Sequence, residues 1–185
     1  PEYRLPKKYV DTELEHLNKM GGITIHCNSE LGEDITIDRL KSDYDAVGVT
    51  IGAWKPGPMY SEGEELASNG IEWLEDIAQN NWQGENPGKT IVVGGGNTAM
   101  DCVRTAVRLG SDEVSCYYRR SEKQMPAEQY EIDDAREEGV NFEFLSQPVK
   151  LTKENGKKVV TFTKMKLGEK DASGRRTPFS PDYLY

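Results

Sequence analysis

The chain has 185 residues, with 23 basic side chains against 32 acidic ones and a formal charge of −9. That length suits one domain or one and a half, and no apolar run approaches the roughly 18–20 residues that span a bilayer. The negative charge argues against nucleic acid as the main partner, because a phosphate backbone calls for a basic field. Three cysteines, Cys27, Cys102 and Cys116, are odd in number and lack metal or disulfide spacing. This argues against a disulfide scaffold or a zinc module, and with neither an apolar span nor a signal-like start the chain is expected in the cytoplasm. Leu, Ile, Val and Phe make up only a fifth of the residues, so the core is expected to be thin. The chain also opens on Pro1, which suggests a piece of a larger protein.

The first element is a helix: Pro6 stands near its start, Val10, Leu14 and Leu17 recur at helical spacing, and Gly21-Gly22 end it. Ile23 to Cys27 alternates like a short strand, and residues from Thr36 to Leu40 form a short helix. Ala46 to Ile51 is a β-branched run with the profile of a buried parallel strand. The Gly- and Pro-rich stretch from Gly52 to Pro58 marks a domain junction. Beyond it Asn69 caps a helix with Ile71, Leu74 and Ile77 on one face.

Thr90 to Val93 is a second buried strand and runs straight into Gly94-Gly95-Gly96. A helix from Asn97 to Leu109 turns Met100, Val103 and Val107 inward and stops at Gly110. Glu113 to Tyr118 is a strand ending in Arg119-Arg120, followed by a charged helix to Glu138 and a strand from Val140 to Leu145. The many acids of that helix read as a solvated face. Residues 147–167 read as a small antiparallel meander turning at Asn155-Gly156. Residues 171–185 read as a loose tail. Strands alternating with helices give an α/β fold, a Rossmann-like nucleotide-binding domain around a parallel sheet.

The segment Gly94-Gly95-Gly96-Asn97-Thr98-Ala99 has the form G-x-G-x-x-A between a strand and a helix. Gly94 permits the tight turn, Gly96 lets backbone approach a pyrophosphate, and Ala99 allows close helix–strand packing. The first turn of the helix offers N–H groups and a positive dipole end, to which Asn97 and Thr98 add side-chain donors. A lone motif of this form also fits a ligand-free turn or a methyltransferase-like site. Its position between strand and helix, with another strand at 113–118, favours a dinucleotide. Sites for NAD place a carboxylate at the end of that next strand, whereas sites for NADP place arginine there. Here Arg119 and Arg120 occupy the position, pointing to NADPH.

Pro1 to Pro6, Tyr44 to Val47, Ile51 to Pro56, the 94–101 loop, Tyr118-Arg119-Arg120 and Met125-Pro126-Ala127 occur in this order. Together they resemble the small (β) subunit of NADPH-dependent glutamate synthase and its relatives, including the flavin–NADPH module of dihydropyrimidine dehydrogenase. The resemblance implies a nicotinamide domain inserted in an FAD domain, with hydride passing from NADPH to FAD and electrons leaving through iron–sulfur clusters. It assigns 1–56 to part of the FAD domain and 57–170 to the NADPH domain. It implies that residues Gly94 to Thr98 hold the pyrophosphate, and that Arg119 with Arg120 hold the 2′-phosphate. The family's first G-x-G-x-x-G, which anchors FAD, is not among these residues, so FAD is expected in the full-length parent and not on this segment. Where the family continues with an Ile-Pro-Gly-like turn, this chain has Tyr60-Ser61-Glu62-Gly63. The implied partners are the flavin and iron–sulfur domains or a large subunit.

Cys102 and Cys116 are 14 positions apart and read as buried core residues, not as a redox dithiol. His16 and His26 are isolated, and no metal site is expected. Hydride transfer uses the chemistry of nicotinamide and flavin, so no catalytic residue is assigned. The other reading is a stand-alone nucleotide-binding or interaction module without redox turnover.

Overall fold

The computed structural model describes residues 1–55, 57–172 and 174–181. Pro56, at the expected junction, and Ser173 and 182–185 of the expected tail lie outside the described residues. The chain divides into two units, Glu2–Lys55 and the residues from Pro56 onward, with Pro1 grouped in the latter.

In the first unit, helix α1 (Lys7–Met20) follows Pro6, and the carboxylate of Glu2 accepts from the N–H of Lys7 at 3.1 Å. Helix α2 (Ile37–Asp43) is capped by Thr36, whose hydroxyl accepts from the N–H of Arg39 at 3.2 Å. Neither helix buries a residue. Residues 23–27 and 46–51, expected as strands, pair with nothing in a ladder among the described residues. Their β-branched composition suits a strand, but a strand exists only where a neighbour takes up its N–H and C=O groups. Trp54 is exposed and donates its indole N–H to the carbonyl of Ile51 at 2.7 Å.

The second unit is built on a three-stranded parallel sheet in the order β1 (Lys89–Val93), β2 (Glu113–Tyr118), β3 (Asn141–Phe144). Helix α3 (Gly70–Gln79) starts at Asn69, whose side-chain oxygen accepts from the N–H of Ile71 at 2.9 Å. Helix α4 (Asn97–Arg108) links β1 to β2, and α5 (Gln129–Glu137) links β2 to β3. The core lies between the helices and the sheet: Met100, Val103 and Ala106 of α4 meet Val114, Cys116, Ile132, Ala135 and Val140. Met100 and Ile132 are fully buried, and truncating either to alanine would cost about 2–5 kcal/mol.

One tie between helices is ionic. Arg104 of α4 is buried and pairs with Glu131 at 2.6 Å, Glu138 at 2.8 Å and Asp134 at 3.1 Å. The acids expected to form a solvated face are therefore partly internal, Glu131 being only 2% exposed. Arginine can serve several carboxylates because its planar head carries five donors.

The meander expected over 147–167 is two separate hairpins. Strands β4 (Ser146–Glu154) and β5 (Lys157–Lys164) turn at Asn155-Gly156, and β6 (Lys166–Lys170) pairs with β7 (Arg176–Phe179). Residues 176–179, expected within a loose tail, are thus a strand. The ring of Phe162 stacks on Tyr117 with centroids 4.0 Å apart, seating the first hairpin on the sheet. The variant turn at 60–63 also has a structural role: Glu62 donates to the carbonyl of Val149 at 3.0 Å and accepts from the N–H of Leu151 at 2.7 Å, bridging to β4.

Candidate nucleotide site

The site forms where β1 ends and α4 begins. Gly94 has φ +155°, a conformation that side chains disfavour, and its N–H donates to the carbonyl of Tyr117 at 3.0 Å. A Cβ on Gly94 would stand 3.2 Å from the Cβ of Ala99, so these two small residues let strand and helix approach. The carbonyl of Gly96 accepts from Ala99 at 2.9 Å and from Met100 at 3.2 Å. The N–H groups of Gly95, Gly96, Asn97 and Thr98 meet no backbone carbonyl among the described residues.

The start of α4 differs from those of α2 and α3. Gly96 stands at its cap position, no side chain caps it, and no acid occupies its first turn. The helix therefore presents an uncompensated positive end, with Asn97 and Thr98 exposed upon it. Anions are stabilised at such an end, and a pyrophosphate fits both its charge and its donors.

The walls of the loop come from residues whose role was not visible in the sequence. Gly95 is buried against the ring of Tyr118, whose hydroxyl donates to the carbonyl of Gln124 at 2.8 Å. Ala127 donates to the carbonyl of Gly95 at 3.1 Å, and the N–H of Glu128 donates to Asn97 Oδ1 at 3.0 Å. The Met125-Pro126-Ala127 segment thus lies directly against the glycine loop. Asn97 has its oxygen engaged by Glu128, which leaves its amide N–H groups as its contribution to a ligand.

Gly94 to Ala99 are brought together as one turn, and the two arginines stand at the end of the neighbouring strand. Arg119 is exposed and has no ion pair among the described residues. Arg120 is buried: it pairs with Asp171 at 2.7 Å and donates from Nε to the carbonyl of Arg176 at 2.8 Å. The end of β2 therefore presents one open guanidinium and one that is engaged.

A family model described as pyridine nucleotide-disulphide oxidoreductase matches residues 27–174. The chain belongs to that family. Among its relatives, the NADPH-Fe(3+) oxidoreductase subunit beta of Geobacter sulfurreducens is 40% identical, over 96% of this chain and 27% of that protein. The glutamate synthase [NADPH] small chain of Escherichia coli is 38% identical, over 95% of this chain and 40% of its own length. The chain thus spans less than half the length of either relative. Among solved structures, FprA of Mycobacterium tuberculosis in complex with NADPH aligns with a TM-score of 0.65 at 17% identity. That match covers 84% of this chain and 50% of FprA, and it shows a shared pyridine nucleotide oxidoreductase fold.

The family's name includes a disulphide, yet the cysteines here are not a dithiol pair. Cys116 Sγ donates to the carbonyl of Gly94 at 3.4 Å, and Cys102 Sγ donates to the carbonyl of Gly70 at 3.6 Å. Burial pushes both thiols up to about 12, so neither supplies thiolate near neutral pH. Among the described residues no group of His, Cys, Asp and Glu is arranged to hold a metal ion. Nor is any described helix long and apolar enough to cross a membrane.

Proposed function

We propose that this chain is the NADPH-binding part of a flavin-dependent oxidoreductase of the glutamate synthase small-subunit type, working in the cytoplasm. The observation that carries the reading is the uncapped start of α4 after the Gly94 turn, with the exposed Arg119 just past the end of the neighbouring strand β2. Gly94, Gly95, Gly96, Asn97, Thr98 and Ala99 form the pyrophosphate cradle, and the end of β2 receives the ribose 2′-phosphate. Residues 57–170 are the nucleotide domain, and 1–56 belong to the flavin domain of the parent. Two relatives carry NADPH in their names, which supports the choice of nucleotide.

In the parent, NADPH supplies a hydride to FAD, and iron–sulfur clusters take the electrons onward. This chain's own part is to bind and orient the dinucleotide. No second glycine turn of the G-x-G-x-x-G form occurs in the sequence, so FAD is assigned to other parts of the parent and no step is routed through it here. Calorimetric titration with NADPH and NADH tests the reading: NADPH binds more tightly, and Gly96→Val weakens both. Failure of the wild-type protein to bind either nucleotide would remove it.

A further inference from the structure

Strand β2 ends at Tyr118, and the chain bends through Arg119 and Arg120. The two adjacent arginines come to lie in different surroundings. Arg119 is exposed, whereas the side chain of Arg120 is 8% exposed and bonded through Nε and Nη2 to the second hairpin. Its Nη2 meets Asp171 Oδ2 at 2.7 Å, and its Nε meets the carbonyl of Arg176 at 2.8 Å. Asp171 is itself the hinge of the β6–β7 turn. Its N–H donates to the carbonyl of Arg175 at 2.7 Å, and its Oδ1 accepts from the N–H of Arg175 at 3.2 Å. One guanidinium therefore holds both the turn and the first residue of β7.

Resting on the nucleotide reading above, we propose that the arginine pair is divided in function: Arg119 alone reads the 2′-phosphate, and Arg120 clasps hairpin β6–β7 to the end of β2. The charge balance favours this division. Arg120 and Asp171 neutralise one another, so an incoming 2′-phosphate meets the field of a single open cation. Drawing Arg120 towards the phosphate would break its 2.7 Å pair with Asp171, in surroundings that screen both charges poorly. It would also leave the carbonyl of Arg176 without its donor. Among the described residues Arg119 has no such bond to give up.

Two measurements on the wild type and on Arg119→Gln, Arg120→Gln and Asp171→Asn test the division: the ratio of NADH to NADPH dissociation constants, and hydrogen exchange across the sheet and hairpins. Arg119→Gln should cut the preference for NADPH by about tenfold or more, the loss of a charge-assisted phosphate contact. Arg120→Gln should keep the preference within about threefold while exchange quickens at 166–170 and 176–179 but not at 113–118. Asp171→Asn should loosen the hairpin in the same way. The division is overturned if Arg120→Gln abolishes the preference with the hairpin still protected. It is equally overturned if Arg119→Gln keeps the preference within about threefold, since another group then reads the phosphate. If the wild type binds neither nucleotide, the nucleotide reading falls together with the role of Arg119, and the exchange data decide the clasp on their own.

Discussion

Gly95 lies against the ring of Tyr118 so closely that a Cβ added to it would stand 2.6 Å from Cε2 of the tyrosine. The lack of a side chain at the middle glycine of the loop is therefore required by the protein's own packing. Gly96 is the opposite case: a Cβ there would find only Cγ of Pro126, at an ordinary 3.9 Å. The two neighbours separate folding from binding.

Gly95→Ala is accordingly a stability variant. The ring of Tyr118 is tied by its hydroxyl to Gln124 and cannot swing aside freely. Overpacking of this kind costs about 1–3 kcal/mol, which for a chain of this size lowers Tm by a few degrees per kcal/mol. Thermal melts check it, and Tyr118→Leu in the same chain should recover part of the loss. An unchanged melting temperature would mean that the ring moves readily.

Gly96→Val should fold like the wild type and still bind nucleotide poorly. Its β-branched side chain would stand over the uncapped turn of α4 and hold a pyrophosphate away from the helix N–H groups. NADPH and NADH share that pyrophosphate, so calorimetry should show both weakened by a similar factor. A selective loss of one nucleotide would place the obstruction elsewhere.

The thiols should also sort by burial. Cys27 is exposed, whereas Cys102 and Cys116 are buried with their thiols pushed up to about 12 by desolvation. Iodoacetamide at pH 8 should therefore label Cys27 in the native protein, and the other two only after unfolding. Peptide mass spectrometry reads this directly; early labelling of Cys116 would show that the strand beneath the glycine loop opens easily.

The glycine loop, the helices and the parallel strands were legible in the sequence because each is signalled locally. Periodicity marks α4, a cap residue marks α3, and an apolar run ending in glycine marks β1. What escaped depends on partners distant in sequence. Nothing near Arg120 announces that Asp171, 51 positions on, takes its charge. Nor does anything near Gly95 announce the ring of Tyr118. The acids of α5 looked solvated because helical spacing cannot reveal that Arg104 faces them from another helix. Residues 23–27 and 46–51 show the converse: strand composition without a ladder.

Those two segments should exchange amide hydrogens faster than β1. None of their N–H groups is held in a sheet among the described residues, and the unit that contains them buries almost no side chain. Local opening there exposes little additional apolar surface and so costs little. Residues 89–93 are paired along their whole length with β2. Native-state exchange followed by mass spectrometry would rank the three segments, and slower exchange at 46–51 than at 89–93 would show that the first unit has found a partner in solution.

Acid should weaken the α4–α5 contact through Glu138. Burial alone would raise its carboxyl, but hydrogen bonds from Arg108 and Arg104 outweigh burial and hold it down at about 2, against an ordinary value of 4.5. A carboxylate whose folded value lies below its unfolded value stabilises the fold above the ordinary value. It loses that contribution as pH falls towards the depressed one. The window is therefore roughly pH 4.5 down to 2, with full stabilisation near neutrality. Glu138→Gln keeps the shape of the side chain but removes its charge from Arg104, which stays buried, and Arg108. Charge-assisted hydrogen bonds of this kind are each worth about 1.5–3 kcal/mol, so the variant should be less stable at pH 7 by an amount of that order. Denaturant midpoints measured across the window should converge as the wild type's carboxylate takes up its proton. Parallel curves down to pH 2 would mean that Glu138 titrates at its ordinary value and that Arg104 is held by its other carboxylates, Glu131 and Asp134.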